Sequence, residues 1–148
     1  MLDNEIIKLK KGDIIFIEDN PVNSIFIIKK GTVKTFKLNN TKLETTGVFK
    51  ENELIGELDL FGSDRHSETA VAFESTELIP IQANDIKEYL KLSPEWITKI
   101  LTTIKQRVVD TKELMLEHKI NDTKFENEFF ISHEDENAIL RKINNRLT

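Results

Sequence analysis

The stretch that decides the fold is Lys11-Gly12-Asp13-Ile14-Ile15-Phe16-Ile17-Glu18-Asp19-Asn20-Pro21-Val22-Asn23-Ser24-Ile25-Phe26-Ile27-Ile28-Lys29-Lys30-Gly31-Thr32-Val33. It holds short apolar runs bounded by Lys11-Gly12-Asp13, Asp19-Asn20-Pro21 and Lys30-Gly31-Thr32. Gly, Asn, Asp and Pro in these places reverse the chain, so the runs read as strands and a helix is rejected. Outward from this hairpin the same rhythm holds across residues 5–9, 13–17, 24–28, 32–38, 42–49, 53–55, 69–73 and 77–81. Short strands at this spacing predict a jelly roll.

After residue 83 the period changes. Asn84 or Asp85 is placed to cap a short helix through Leu92, and Ser93-Pro94-Glu95 combines a capping hydroxyl, a first-turn Pro and an acid near the positive helix end. These signals predict a long helix over residues 94–118. On it Ile97, Leu101, Ile104, Val108, Thr111 and Met115 recur at alternating spacings of four and three, the seam of a parallel two-stranded coiled coil. Trp96, Ile100 and Leu114 are then left to pack on the roll. The simpler alternative is that the whole stripe packs there. Beyond it, residues 119–148 are polar, with apolar positions at Phe125, Phe129, Phe130 and Ile131 and at Ile139, Leu140, Ile143 and Leu147. Ser132 or Asp135 can cap a last helix, whose role the sequence leaves open. The expected organisation is a roll with a short helix over 1–92, a dimer helix over 93–118 and a polar helical tail over 119–148.

The 148 residues are 39% hydrophobic and 32% charged, enough for one substantial core. The formal charge of −5 builds in no general attraction to nucleic acid. No apolar stretch is long enough to cross a bilayer, and the start lacks signal-peptide character, so a cytoplasmic location is expected. The absence of cysteine excludes disulfides, thiolate nucleophiles and cysteine-ligated clusters. His66, His118 and His133 lie far apart in sequence, without metal-ligand spacing. Asp64, His66 and Ser67 crowd one loop, which does not present triad geometry, and no enzyme is expected. Lys8, Lys10 and Lys11, and Lys29, Lys30, Lys34 and Lys37, read as solvated strand faces.

In order and separation, three segments resemble the cyclic-nucleotide-binding domain of the Crp/Fnr family. They are the opening hairpin through Gly12, Asp13, Glu18, Pro21, Ser24, Gly31 and Val33; the run Glu53-Leu54-Ile55-Gly56-Glu57-Leu58-Asp59-Leu60-Phe61; and Arg107–Glu113 on the long helix. The resemblance covers about residues 5–118. It implies a double-stranded β-helix roll and a phosphate-binding cassette containing Gly56, Glu57 and Leu58. Glu57 would accept a bond from a ribose hydroxyl, and Thr111 would contact adenine at the dimer helix. Gly permits close backbone approach, and a carboxylate suits a sugar hydroxyl.

Where the family has an arginine followed by small residues, this chain reads Arg65-His66-Ser67-Glu68 before the strand Thr69-Ala70-Val71. His66 falls in the arginine slot, Arg65 one residue early, Ser67 in a small position and Glu68 where alanine is usual. A one-residue bulge would bring Arg65 into place, and His66 could be a cationic phosphate partner at low pH. The candidate ligand residues are therefore Gly56, Glu57, Leu58, Arg65, His66, Ser67 and Thr111. The expected function is a sensor domain of a transcriptional regulator or signalling protein, taking cyclic AMP, cyclic GMP or another small anionic effector as a homodimer. The alternative is a ligand-free β-roll serving as a dimeric interaction scaffold. The roughly 30 residues after the long helix are too few for a winged DNA-binding domain.

Overall fold

The computed structural model describes residues 5–117 and 129–147. The chain runs through β1 (Ile7–Leu9), β2 (Ile14–Phe16), β3 (Ser24–Lys30), β4 (Val33–Asn39), β5 (Lys42–Phe49), β6 (Leu54–Ile55) and the short helix α1 (Glu57–Leu60). It continues through β7 (Thr69–Ala72), β8 (Thr76–Gln82), α2 (Ala83–Lys91) and α3 (Glu95–Glu117) to a last helix, here α4 (His133–Leu147). The strands form two four-stranded antiparallel sheets, ordered β1-β8-β3-β6 and β2-β7-β4-β5. This is the jelly-roll arrangement expected of the sequence. Phe125, His118 and the other residues of 118–128 lie outside the described residues.

Turn chemistry shapes the roll locally. Asn39 pairs with Lys42, leaving Asn40 and Thr41 as a two-residue hairpin loop, and Asn40 takes the positive φ of 58° that such loops require. Gly31, at φ 108°, has no substitute: a Cβ there would lie 2.7 Å from the Thr76 Cα and 2.8 Å from the Ser75 carbonyl oxygen.

Between the sheets, Ile28, Ile55 and Leu78 of the first meet Phe16, Val33 and Ala70 of the second. The other face of the second sheet is also buried. Ile14, Ile17, Phe36, Leu43 and Val71 pack there against Ile139 and Ile143 of α4. A register shift between Ile14 and Phe16 accompanies their burial on opposite faces. Polar bonds frame α4. The Ser132 hydroxyl accepts from the Asp135 amide at 3.1 Å, the capping bond predicted for one of its two candidates. The Lys142 ammonium donates to the Gly12 carbonyl at 2.6 Å, and the Lys34 ammonium to that of Phe130 at 3.2 Å. The tail thus contributes a core helix.

Three sequence expectations are corrected. Neither Asn84 nor Asp85 caps α2, which starts earlier, at Ala83, after an extended Gln82; both fall in its first turn. The Ser93 hydroxyl donates back to the Tyr89 carbonyl at 3.0 Å, closing α2. On α3 the stripes are exchanged in the first half: Ile97 and Leu101 are half-buried, whereas Trp96 is 62% and Ile100 48% exposed; near the other end Leu114, also expected on the roll, is 56% exposed. Residues 96, 100, 104 and 108 and residues 97, 101, 105 and 109 form adjacent four-residue stripes, and spacing alone does not tell which one faces the roll.

The packing predicts that Ile143→Ala lowers unfolding stability by about 2–5 kcal/mol in urea titration, with a single transition. Trp96→Ala, on the outward stripe, should change the stability of the monomeric chain by less than about 0.5 kcal/mol.

Candidate functional site: the cleft between α1 and α3

α1 is set by packing and by one glycine. Leu60 is buried with Val22, Ile25 and Ala83, which fixes α1 against β3 and α2. Gly56 precedes α1 at φ 87°, left-handed backbone that L side chains rarely adopt. α1 then faces α3 across a cleft of about 440 Å³, walled by Phe49, Glu57 and Leu58 on the roll and by Ile104, Arg107, Val108, Thr111, Lys112 and Met115 on the helix.

Charges are paired across this cleft. The Lys112 ammonium binds the Glu68 carboxylate, the two side chains being 23% and 15% exposed. Burial pushes the Glu57 carboxyl above its ordinary value of 4.5, and Glu68 and Asp59 push the same way. Its own backbone N–H and Lys112 oppose this rise. Asp59 turns back to accept from the Ser67 amide at 3.0 Å.

The structure brings some sequence candidates together and separates others. Glu57, Leu58 and Thr111 wall the cleft, and Gly56 adjoins it. The Thr111 hydroxyl donates along its own helix to the Arg107 carbonyl at 2.8 Å. Arg65 does not reach the cleft. It forms an isolated bridge with Pro21, and its guanidinium donates to the Asp19 carbonyl at 2.7 Å, so the bulge that would have re-aimed it is not made. His66 is also displaced from the expected role. It is 3% exposed and stacked on Phe16, with ring centroids 3.8 Å apart and planes within 10°. Its Nδ1 has no partner among the described residues. Burial lowers its pKa below 6.5, against a smaller opposing pull from Asp59, so protonation is disfavoured where a phosphate partner would need it. Ser67 presents its amide to Asp59 and does not wall the cleft.

Sequence reasoning missed Asp59, Lys112 and Arg107 as site residues. Lys112 sits one position after Thr111 and half-buried, a signal visible only once the roll-facing stripe of α3 is known. No group of three or more His, Cys, Asp or Glu among the described residues is arranged to hold a metal. No described helix is long and apolar enough to cross a membrane.

Residues 6–93, more than half the chain, match the cyclic nucleotide-binding domain family. The chain belongs to this family. It is 27% identical over 118 residues to the transcriptional activator protein Anr of Pseudomonas aeruginosa, covering 76% of this chain and 48% of that protein. To the global nitrogen regulator of a Nostoc species it is 27% identical over 111 residues, covering 73% and 49%. The chain therefore spans about half the length of these relatives. Among solved structures, the sensor domain of the regulator DNR from Pseudomonas aeruginosa superposes with a TM-score of 0.60 at 19% identity, covering 71% of this chain and 75% of that one. The cyclic-AMP-bound EAL enzyme Bd1971 gives 0.64 at 20%, covering 78% and 32%. At these identities the likeness is one of fold.

The buried His66 gives a pH test. With its folded pKa below the unfolded 6.5, its neutral form favours the fold fully above pH 6.5, and this contribution is lost as pH falls through the folded value. Between about pH 8 and pH 5 the His66 contribution to the urea midpoint should be lost toward acid, opposed by the raised Glu57, and His66→Phe, which keeps the stack on Phe16, should remove that loss.

Proposed function

We propose that this chain is an effector-responsive regulatory domain that works as a homodimer through α3, taking its ligand in the cleft between α1 and α3. The observation that carries the reading is shared residues. Ile104, Val108 and Met115 wall the cleft and also stand 52%, 44% and 59% exposed on the outward ridge of α3. Trp96, Ile100 and Leu114 extend the exposed apolar surface. A ridge of this kind suits a second copy of the same helix. A ligand in the cleft then touches the side chains that meet the partner, so its affinity differs between arrangements of the two helices. That difference is the requirement for transmitting a signal.

The relatives include a transcriptional activator protein and a global nitrogen regulator, which supports a regulatory role exercised by binding. Cyclic AMP and cyclic GMP are the reference ligands for the fold. The arginine expected to clamp their phosphate is engaged by the Asp19 carbonyl, and loss of a charge-assisted clamp costs roughly 1.5–3 kcal/mol. A second reading, a ligand-free dimeric scaffold, is favoured by the bonds that already satisfy Lys112 and the Ser67 amide from within the chain.

Sedimentation equilibrium tests the dimer: the wild-type chain should associate, and Val108→Glu should weaken association at least about tenfold, since a charge at the seam must be desolvated. A monomeric wild-type chain at high concentration would defeat this reading. Titration calorimetry with cyclic AMP and cyclic GMP should give no saturable heat below roughly millimolar nucleotide. Saturable heat lost in Arg65→Ala would mean that the arginine swings into the cassette.

A further inference from the structure

The cleft carries information about its ligand that goes beyond the fold. Two groups placed to receive an anion beside α1 are engaged from within the chain, and Arg65, which does not reach the cleft, is engaged elsewhere. The Ser67 amide is taken by Asp59 at 3.0 Å, the Lys112 ammonium by Glu68, and the Arg65 guanidinium by the Asp19 carbonyl at 2.7 Å. The Lys112–Glu68 pair is mostly shielded from water, and taking either partner away leaves an uncompensated charge. An incoming anion would have to displace Glu68 from Lys112 or sit beside both, with Glu57 also facing it. Like charges at such range disfavour binding. Arg107 is the other cation on the wall. It lies on the exposed side of α3, where solvent screens its attraction. The remaining surface is apolar, from Phe49, Leu58, Ile104, Val108 and Met115.

We propose that Asp59 and Glu68 set the ligand class of this cleft: they satisfy from within the Ser67 amide beside it and the Lys112 ammonium on its wall, so the cleft takes an uncharged, largely apolar small molecule. The inference rests on the cleft being the effector site. The apolar walls hold the body of such a ligand, and Glu57 offers one polar contact to a hydroxyl or amide. Neither carboxylate is a ligand contact. Both are specificity residues that act by engaging Ser67 and Lys112.

The test uses the full chain, the uncharged fluorophore N-phenyl-1-naphthylamine as probe, and cyclic AMP as the anionic competitor. The wild-type chain should enhance the probe's fluorescence saturably, Leu58→Gln should weaken that binding several-fold, and millimolar cyclic AMP should not displace the probe. The double variant Asp59→Asn, Glu68→Gln frees the Ser67 amide and the Lys112 ammonium, and should bring displacement by cyclic AMP at least about tenfold lower in concentration. Its circular dichroism and melting curve show that it folds, and Glu68→Gln alone, expected to give a smaller gain, serves if the double variant does not. Displacement by cyclic AMP in the wild-type chain, probe binding indifferent to Leu58→Gln, or folded variants that gain nothing would each overturn the inference. Sedimentation with and without probe separates the two levels. A bound probe that leaves dimerisation unchanged defeats the regulatory reading while the ligand class stands. Cyclic AMP that displaces the probe and shifts dimerisation does the reverse.

Discussion

One shielded ion pair, Lys112 with Glu68, ties α3 to the roll. Glu68 stands just before β7, at the end of the loop that follows α1, and Lys112 is five residues from the end of α3. A shielded pair of this kind adds little net stability, because desolvation offsets its attraction, yet it is costly to break and therefore selects one orientation. The pair lies on the helix face that carries Ile97, Leu101, Lys105, Val109 and Lys112 toward the roll. Trp96, Ile100, Ile104 and Val108 are left outward as a consequence. The cleft, its paired charges and the exposed ridge all follow from that orientation.

A second constraint comes from the sheet β2-β7-β4-β5, which is apolar on both faces. A strand buried on one face alternates, whereas one buried on both reads as a continuous apolar run. Ile14-Ile15-Phe16-Ile17 and Ala70-Val71-Ala72 are such runs. The outer face needs a cover, and α4 supplies it through Ile139 and Ile143. Helix and roll thus complete one core, and residues 6–93 alone leave that face without its helix.

The strands were legible because their signals are local: turn residues at close spacing and short apolar runs. Glu57, Leu58 and Thr111 were legible through a family resemblance, and the structure places them round one cleft. What escaped was decided by contacts distant in sequence. The outward stripe of α3, Trp96, Ile100, Ile104 and Val108, is the more apolar of the two, so apolar content alone points to the wrong face. The swing of Arg65 toward Asp19 spans 46 residues, and no spacing rule announces it. His66 filled the expected arginine slot by position, but its ring is taken into the apolar core by Phe16. The cover provided by α4 was written in the continuous runs of β2 and β7, a signal overlooked because those runs also fit ordinary strands.

A double-mutant cycle on Glu68 and Lys112 tests the central claim most directly. Unfolding free energies of the wild-type chain, Glu68→Ala, Lys112→Ala and the double variant, measured in urea at neutral pH, give the energy that couples cassette to helix. The account predicts a favourable coupling of roughly 0.5–3 kcal/mol, with the two single losses adding up to more than the loss in the double variant. A coupling of zero would mean that α3 is not held against α1 by this pair, and the cleft built on it would lose its foundation.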